Sequence, residues 1–401
     1  MSEIRNGEHS PLLRHMSIDV KNARSFKLSC RHVPARLGAI FLILGCLVLI
    51  LSRQADQDGC IIPIERASEH YIEVDEEIFL WYRIWGNRKS GVPVLFVHGG
   101  PGQAVVDYKN GNKRFFDASE LFVVEIDQRG TGRSKPSVRD DLHNMELYDD
   151  ISVDLISKDF EVVRKQLGIE QWVVWGGSFG STIALDYGMQ FPERCLGLIL
   201  RGIYLDTVPE VSSVYSRQAF IHNKKRLQEF QVLFQLANDY NRKIDGLNLN
   251  PDDALALMQV YEAMIRSGRK DAIWNWFAFE NNLMEERPEM LLDPSEIVES
   301  KMPEAQSVAY FELRLWLHAS LEQPTNIIQR VNRLSDTPVF ICQGLRDEVC
   351  PSENARLLAK KLKDVGAPLT AHFLNAGHED TDPVMEKCLQ RSIQEFREQL
   401  K

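Results

Sequence analysis

The chain has 401 residues, 44% of them apolar and 26% charged, enough for one large domain with an insertion or for two domains. Its net charge is −10, and residues 1–36 carry seven Lys/Arg against three Asp/Glu, which leaves the remainder at −14. So acidic a body argues against a nucleic-acid partner, which needs clustered cations. The seven cysteines show neither a C-x-x-C pair nor metal-ligand spacing, so we expect no disulfide framework and no metal site, with room for one bridge that spacing does not name.

The first element in chain order is "LGAIFLILGCLVLIL", Leu37–Leu51, fifteen residues without a charged or strongly polar side chain. A membrane span takes about 20 residues, about 17 at the short end, and Pro34–Arg36 with Ser52 brings the segment near that limit. A signal peptide has an apolar region of this length, but its charged leader is short, whereas 36 residues precede this one. A buried core helix suits the length but not a position ahead of everything domain-like. We therefore read 1–36 as a basic tail and 37–52 as a transmembrane signal anchor. Lys21, Arg24, Lys27, Arg31 and Arg36 precede it and only Arg53 and Arg66 follow nearby, which places the N-terminus in the cytosol and the body across the membrane. The alternative is a cytoplasmic body, and no asparagine begins an N-x-Ser/Thr sequon that a lumenal one would glycosylate.

Next, "HYIEV" (His70–Val74) and "IFLWYRIWG" (Ile78–Gly86) alternate around "DEE" and predict an antiparallel hairpin. "VPVLFVHGGPG", "LFVVEIDQRGTGRS", "QWVVWGGSFGS" and "LGLILRGIY" are apolar runs that break into loops, as strands buried on both faces do. Between them "SVDLISKDFEVVRKQLG" sets Val153, Ile156, Phe160, Val163 and Leu167 on one helical face. This alternation predicts a mostly parallel sheet wound with helices on both faces. From residue 206 to residue 335 the strand-like runs stop and an amphipathic segment rich in Trp, Phe, Leu and Glu predicts a helical cap. "TPVFICQG" and "LTAHFLNAGH" then restore the strands, so 66–205 and 336–401 form one α/β core interrupted by the cap.

Within the core, Gly176-Gly177-Ser178-Phe179-Gly180 is a G-x-S-x-G turn straight after a predicted strand, where small neighbours let a serine stand above the sheet edge. A serine hydroxyl is a poor nucleophile until a histidine takes its proton and a carboxylate fixes that histidine's tautomer. Asp347 follows "VFICQG" and His378 follows "AHFLNAG", each just past a predicted strand. A solvated loop acid or a surface histidine explains either residue alone. Three such types at three strand ends, in the order of sheet hydrolases, form a catalytic set. The oxyanion hole needs two N–H donors. Phe179, after the nucleophile, supplies one, and Gly99 in the unshielded "HGGPG" loop supplies the other, with Gly100–Pro101 a candidate cis bond.

"HGGPG", "DQRGTGRS" and "GGSFGSTIAL", followed by "LRGIY", "GLRDEVCP" and "AGH", resemble the proline iminopeptidases of the α/β-hydrolase fold, from about Tyr71 to the C-terminus. The resemblance implies a serine exopeptidase without cofactor or metal, acting on small peptides that carry a free N-terminal proline. It also implies two cap glutamates that bind the substrate's ammonium, matched here by Glu280 in "WFAFE" and Glu312 in "AYFELRLW", with Tyr204 and Trp316 as aromatic walls. Phe279 stands where that family commonly has Trp, Tyr310-Phe311 where it has Arg-Ile, and Phe179 where it has Trp, which leaves strict proline selectivity open. The runner-up function is an esterase or amidase with another acyl group on the same three residues. A non-catalytic binding protein on this scaffold would have lost one of them, and none is missing.

Overall fold

A computed structural model describes residues 61–400, apart from 108–111, 286 and 323. In chain order the strands are β1 (Ile61–Ile62), β2 (Ser68–Asp75), β3 (Ile78–Asn87), β4 (Val92–Val97) and β5 (Leu121–Ile126). Helix α1 (Val153–Gln166), β6 (Trp172–Gly177), α2 (Phe179–Gln190) and β7 (Cys195–Arg201) follow. Then come α3 (Val208–Val214), α4 (Lys224–Asp245), α5 (Ala254–Arg266), α6 (Lys270–Met284) and α7 (Met302–Leu317), with short helical turns around them. The chain closes with β8 (Val339–Gly344), α8 (Ser352–Asp364), β9 (Leu369–Leu374) and α9 (Pro383–Gln399).

The sheet order is β1-β3-β5-β4-β6-β7-β8-β9, with β2 paired to β3 outside that path. Strands β2 and β3 form the expected antiparallel hairpin, with His70 opposite Tyr82 and Ile72 opposite Leu80. From β5 to β9 every pairing is parallel. The central strands read as continuous apolar runs because their period of two sends alternate residues to two cores. Leu95, Val97, Val174, Leu198 and Ile341 pack on one face with α1, α2, α8 and the helical insertion. Val94, Phe96, Val173, Ile199 and Phe340 pack on the other, against Met385, Leu389, Ile393 and Phe396 of α9.

Local signals set the element ends. Ser152 caps α1 by accepting from the Leu155 N–H, and Gly246, left-handed at φ 72°, ends α4. On the α9 side Cys342 and Cys388 form a disulfide, with Cα atoms 6.2 Å apart. Because the core strands are parallel, the loops that leave β4, β6, β7, β8 and β9 gather at one edge of the sheet. In α/β proteins that edge is where ligands bind.

The expectation of a membrane anchor is corrected. Leu37–Leu51 lies outside the described residues, and among those described no helix is long and apolar enough to cross a membrane. Helix α2, buried from Phe179 to Met189, has 12 residues, where a span needs about 20. The longer helices, α4 and α9, alternate buried and charged faces, as helices packed on a core do. A single-pass topology, with a cytosolic tail and the body across a membrane, is not supported, nor is a membrane partner.

Candidate active site

Ser178 follows β6 directly and opens α2 at φ 56°, ψ −133°. A non-glycine residue enters that region only under constraint from its surroundings. Here the constraint is steric: a Cβ on Gly176 would come within 2.1 Å of the Gly180 carbonyl oxygen, and one on Gly180 within 2.6 Å of the Val97 oxygen. The turn is wedged against the end of β4, and larger neighbours would force it open.

His378 Nε2 lies 3.1 Å from Ser178 Oγ, and His378 Nδ1 lies 3.0 and 2.9 Å from the two Asp347 oxygens. The Val349 and Cys350 N–H groups donate to Asp347 Oδ1 at 3.0 and 2.7 Å, and the Gln343 amide approaches Oδ2 at 3.4 Å. Burial pushes the Asp347 carboxyl up, but His378, the Cys350 N–H and Arg201 outweigh it and hold the group below its ordinary value. An ionised Asp347 keeps the proton on Nδ1 and leaves Nε2 bare toward the serine. Arg201 ties the parts together: its carbonyl accepts from the Ser178 N–H at 2.9 Å, and its guanidinium donates to the His378 carbonyl.

The "HGGPG" loop is held from beneath by His98, which is fully buried. Its Nδ1 donates to the Gly99 carbonyl at 3.1 Å, and its Nε2 accepts from the Gln128 N–H at 3.1 Å. Burial pulls its pKa down to about 4, so the ring is neutral, as an accepting Nε2 requires. The Gln128 side chain returns a hydrogen bond to the His98 carbonyl at 2.9 Å. The Gly100–Pro101 bond is cis. Thus the motif beginning at Asp127 works as scaffolding for the "HGGPG" loop.

A cavity of about 180 Å³ opens above Ser178, walled by Phe179, Tyr204, Trp316, Glu280, Glu312 and His378. Asp347 stands behind His378, and on the "HGGPG" side Gly100, rather than Gly99, contributes to the wall. The Tyr204 ring lies 6.1 Å from Trp316 and 6.0 Å from Phe179 between centroids. Glu280 on α6 and Glu312 on α7 are 4% and 3% exposed, and among the described residues neither has a cationic partner. Instead, the Tyr215 hydroxyl donates to Glu280 Oε1, and Trp276 Nε1 donates to Glu312 Oε2 at 2.7 Å. Burial lifts the Glu280 carboxyl to about 7 and Glu312 well above the usual range, the Glu280 charge adding to the second shift. Two dehydrated carboxylates in one cavity have the chemistry that suits a cation.

Among the described residues, Asp347, Cys350 and His378 also bring ligand atoms within 4.8 Å of one another. Burial pushes the Cys350 thiol well up, however, the reverse of what a metal thiolate needs, and the Asp347 oxygens are already bonded. This donor set fits proton transfer better than a metal.

A family profile described as the alpha/beta hydrolase fold matches residues 92–381. The chain is 30% identical over 293 residues to the probable proline iminopeptidase of Leptolyngbya boryana, covering 71% of this chain and 81% of that one. It is also 30% identical over 339 residues to the proline iminopeptidase of Neisseria gonorrhoeae, covering 81% and 95%. The chain belongs to the proline iminopeptidase family. Among solved structures, an esterase from Exiguobacterium antarcticum superposes with a TM-score of 0.53 at 16% identity, over 82% of this chain and all of that one, which shows the fold alone.

Against the family pattern stated above, the departures at Phe279, Tyr310 and Phe311 fall away from the cavity. Phe279 packs on Tyr215 and Phe220, Tyr310 donates to the Met145 carbonyl at 2.8 Å, and Phe311 packs on Tyr148. Only Phe179 lines it. Sequence reading missed Tyr215, Trp276, His98, Gln128, Gln343 and Arg201. Trp276 opens the "WFAFE" stretch, His98 opens "HGGPG", Gln128 lies in "DQRGTGRS" and Arg201 in "LRGIY", so motif position offered a signal for these four.

Proposed function

We propose that this hydrolase removes an N-terminal proline from small peptides through a prolyl-enzyme ester on Ser178. The observation that carries the proposal is that Ser178 and His378 share one cavity with two buried, uncompensated carboxylates. A protonated N-terminal proline has two N–H groups, and Glu280 and Glu312 offer one acceptor for each, while Tyr204 and Trp316 enclose the ring. Ser178 Oγ attacks the prolyl carbonyl as its proton passes to His378 Nε2. The oxyanion takes hydrogen bonds from the N–H groups of Phe179 and Gly99. Collapse of the intermediate breaks the C–N bond, and His378 returns the proton to the departing amine. Water, deprotonated by the same imidazole, then releases proline.

The test compares a proline arylamide, its N-acetyl derivative, an alanine arylamide and a neutral acyl ester on the native enzyme and on Glu280→Gln and Glu312→Gln. Each substitution leaves the substrate cation short of a partner in a dehydrated site. Hydrolysis of the proline arylamide is expected to fall at least ~100-fold, or ~2.7 kcal/mol of transition-state binding. N-acetylation reproduces the loss, and the ester is spared. Equal losses on amine and ester would put the esterase reading ahead.

A further inference from the structure

A second cavity, of about 90 Å³, lies where the chain crosses twice between the α/β core and the helical insertion. Tyr204 faces the first cavity, and Asp206, two residues on, faces this one. The outgoing crossing holds Asp206 at φ 56°. The returning one brings His318, Thr325 and Arg330, with Asn326 at φ 53° between them. Asp186 of α2 forms the core side, and the exposed rim is Asp154 and Pro324.

Among the described residues, Asp206 Oδ2, Thr325 Oγ1 and both ring nitrogens of His318 make no hydrogen bond of good geometry, although the Thr325 hydroxyl is close enough to steady the ionised Asp206 carboxylate. Asp206 and His318 are 5% and 8% exposed. Asp186, by contrast, is saturated by Arg330 at 2.6 Å, Ser157 at 2.7 Å and Gln190 at 2.5 Å, so the Arg330 charge is already committed. His318 Nδ1 lies 2.8 Å from Glu322 Oε2, and a proton held on that side leaves Nε2 a bare acceptor. Asp206 Oδ2 and His318 Nε2 can therefore accept, and a Thr325 hydroxyl turned toward Asp206 still has oxygen lone pairs with which to accept. Burial, with the charges of Glu210 and Asp186, drives the Asp206 carboxyl well above its usual range and outweighs the Thr325 hydroxyl that lowers it.

We propose that this hinge cavity binds an ammonium-type cation, either the ammonium ion or a small primary alkylammonium, which donates to Asp206 Oδ2, Thr325 Oγ1 and His318 Nε2. A proton on Asp206 would satisfy one acceptor and leave two. A metal ion fits less well, since among the described residues three acidic, Cys or His ligands converge only at Asp347, Cys350 and His378. An occupant holds both crossings at once, and so fixes the insertion, with its Glu280 and Glu312, over the core.

The test follows thermal unfolding of the full chain at matched ionic strength in ammonium, methylammonium, potassium and tetramethylammonium chlorides. Ammonium and methylammonium are expected to raise Tm by about 2 °C or more over tetramethylammonium, and to slow limited proteolysis of residues 318–326. Asp206→Asn keeps the shape and tolerates positive φ, and it should erase the ammonium-specific rise. Thr325→Val, an independent variant, should shrink it. An equal rise in potassium would make the site a metal-ion site. A response alike in all salts, or unchanged in Asp206→Asn, removes the site altogether. A rise seen only on acidification, whatever the salt, would show that a proton is the occupant. Each of these three results overturns the proposal.

Discussion

Tyr215→Phe changes one hydroxyl and keeps the ring that stacks 4.9 Å from Trp276. That hydroxyl donates to Glu280 and lowers a carboxyl that burial has raised to about 7. A hydrogen bond to an ionised group is worth about 1.5–3 kcal/mol, and each pKa unit about 1.4 kcal/mol, so the Glu280 ionisation should rise by about 1–2 units. The sign follows from the receptor: a cation binds the ionised pair, so activity on an amine substrate rises with pH through that ionisation. At pH below that ionisation, kcat/KM for a proline arylamide would drop by about 10- to 100-fold. The deficit should close as pH rises. The assay is kcat/KM against pH for the proline arylamide and for a neutral ester, in both enzymes. Whatever both substrates share appears in both profiles, so the difference between them reports the carboxylate pair. An acid limb that does not move, or an equal loss on the ester, would refute the reasoning.

Ser178→Ala should abolish turnover, on the order of a million-fold, while the urea unfolding midpoint stays near that of the native enzyme; residual peptidase activity close to normal would reassign the nucleophile. Gly180→Ala places a Cβ 2.6 Å from the Val97 oxygen. It should cost about 1–3 kcal/mol in urea unfolding and lower kcat with it, and a variant of unchanged stability would mean that the elbow can relax. The Cys342–Cys388 bridge spans 46 residues. On the chain-entropy account its reduction should cost about 4 kcal/mol, measured as unfolding with and without reductant, and an unmoved midpoint would leave the bridge without a stabilising role.

The parts of the molecule that depend on neighbours in sequence were legible in the chain. The β/α rhythm, the hairpin around "DEE", the glycines that Ser178 needs, and the placing of Asp347 and His378 past strand ends are all short-range patterns. Parallel strands then oblige those ends to meet at one edge, which is why three residues spread over 201 positions form one site. What depended on long-range packing left little or no such trace. Tyr215 reaches Glu280 across 65 positions and Trp276 reaches Glu312 across 36. Among the cysteines nothing in spacing marked Cys342 and Cys388, because a bridge requires that two side chains be brought face to face. An apolar run of fifteen residues suggested a membrane span, and hydropathy alone does not separate that from other uses. The perturbed carboxyls are likewise a tertiary product. Glutamates on two helices look solvated in sequence, and only packing strips their water and sets them against each other, because charge energies depend on distance and burial.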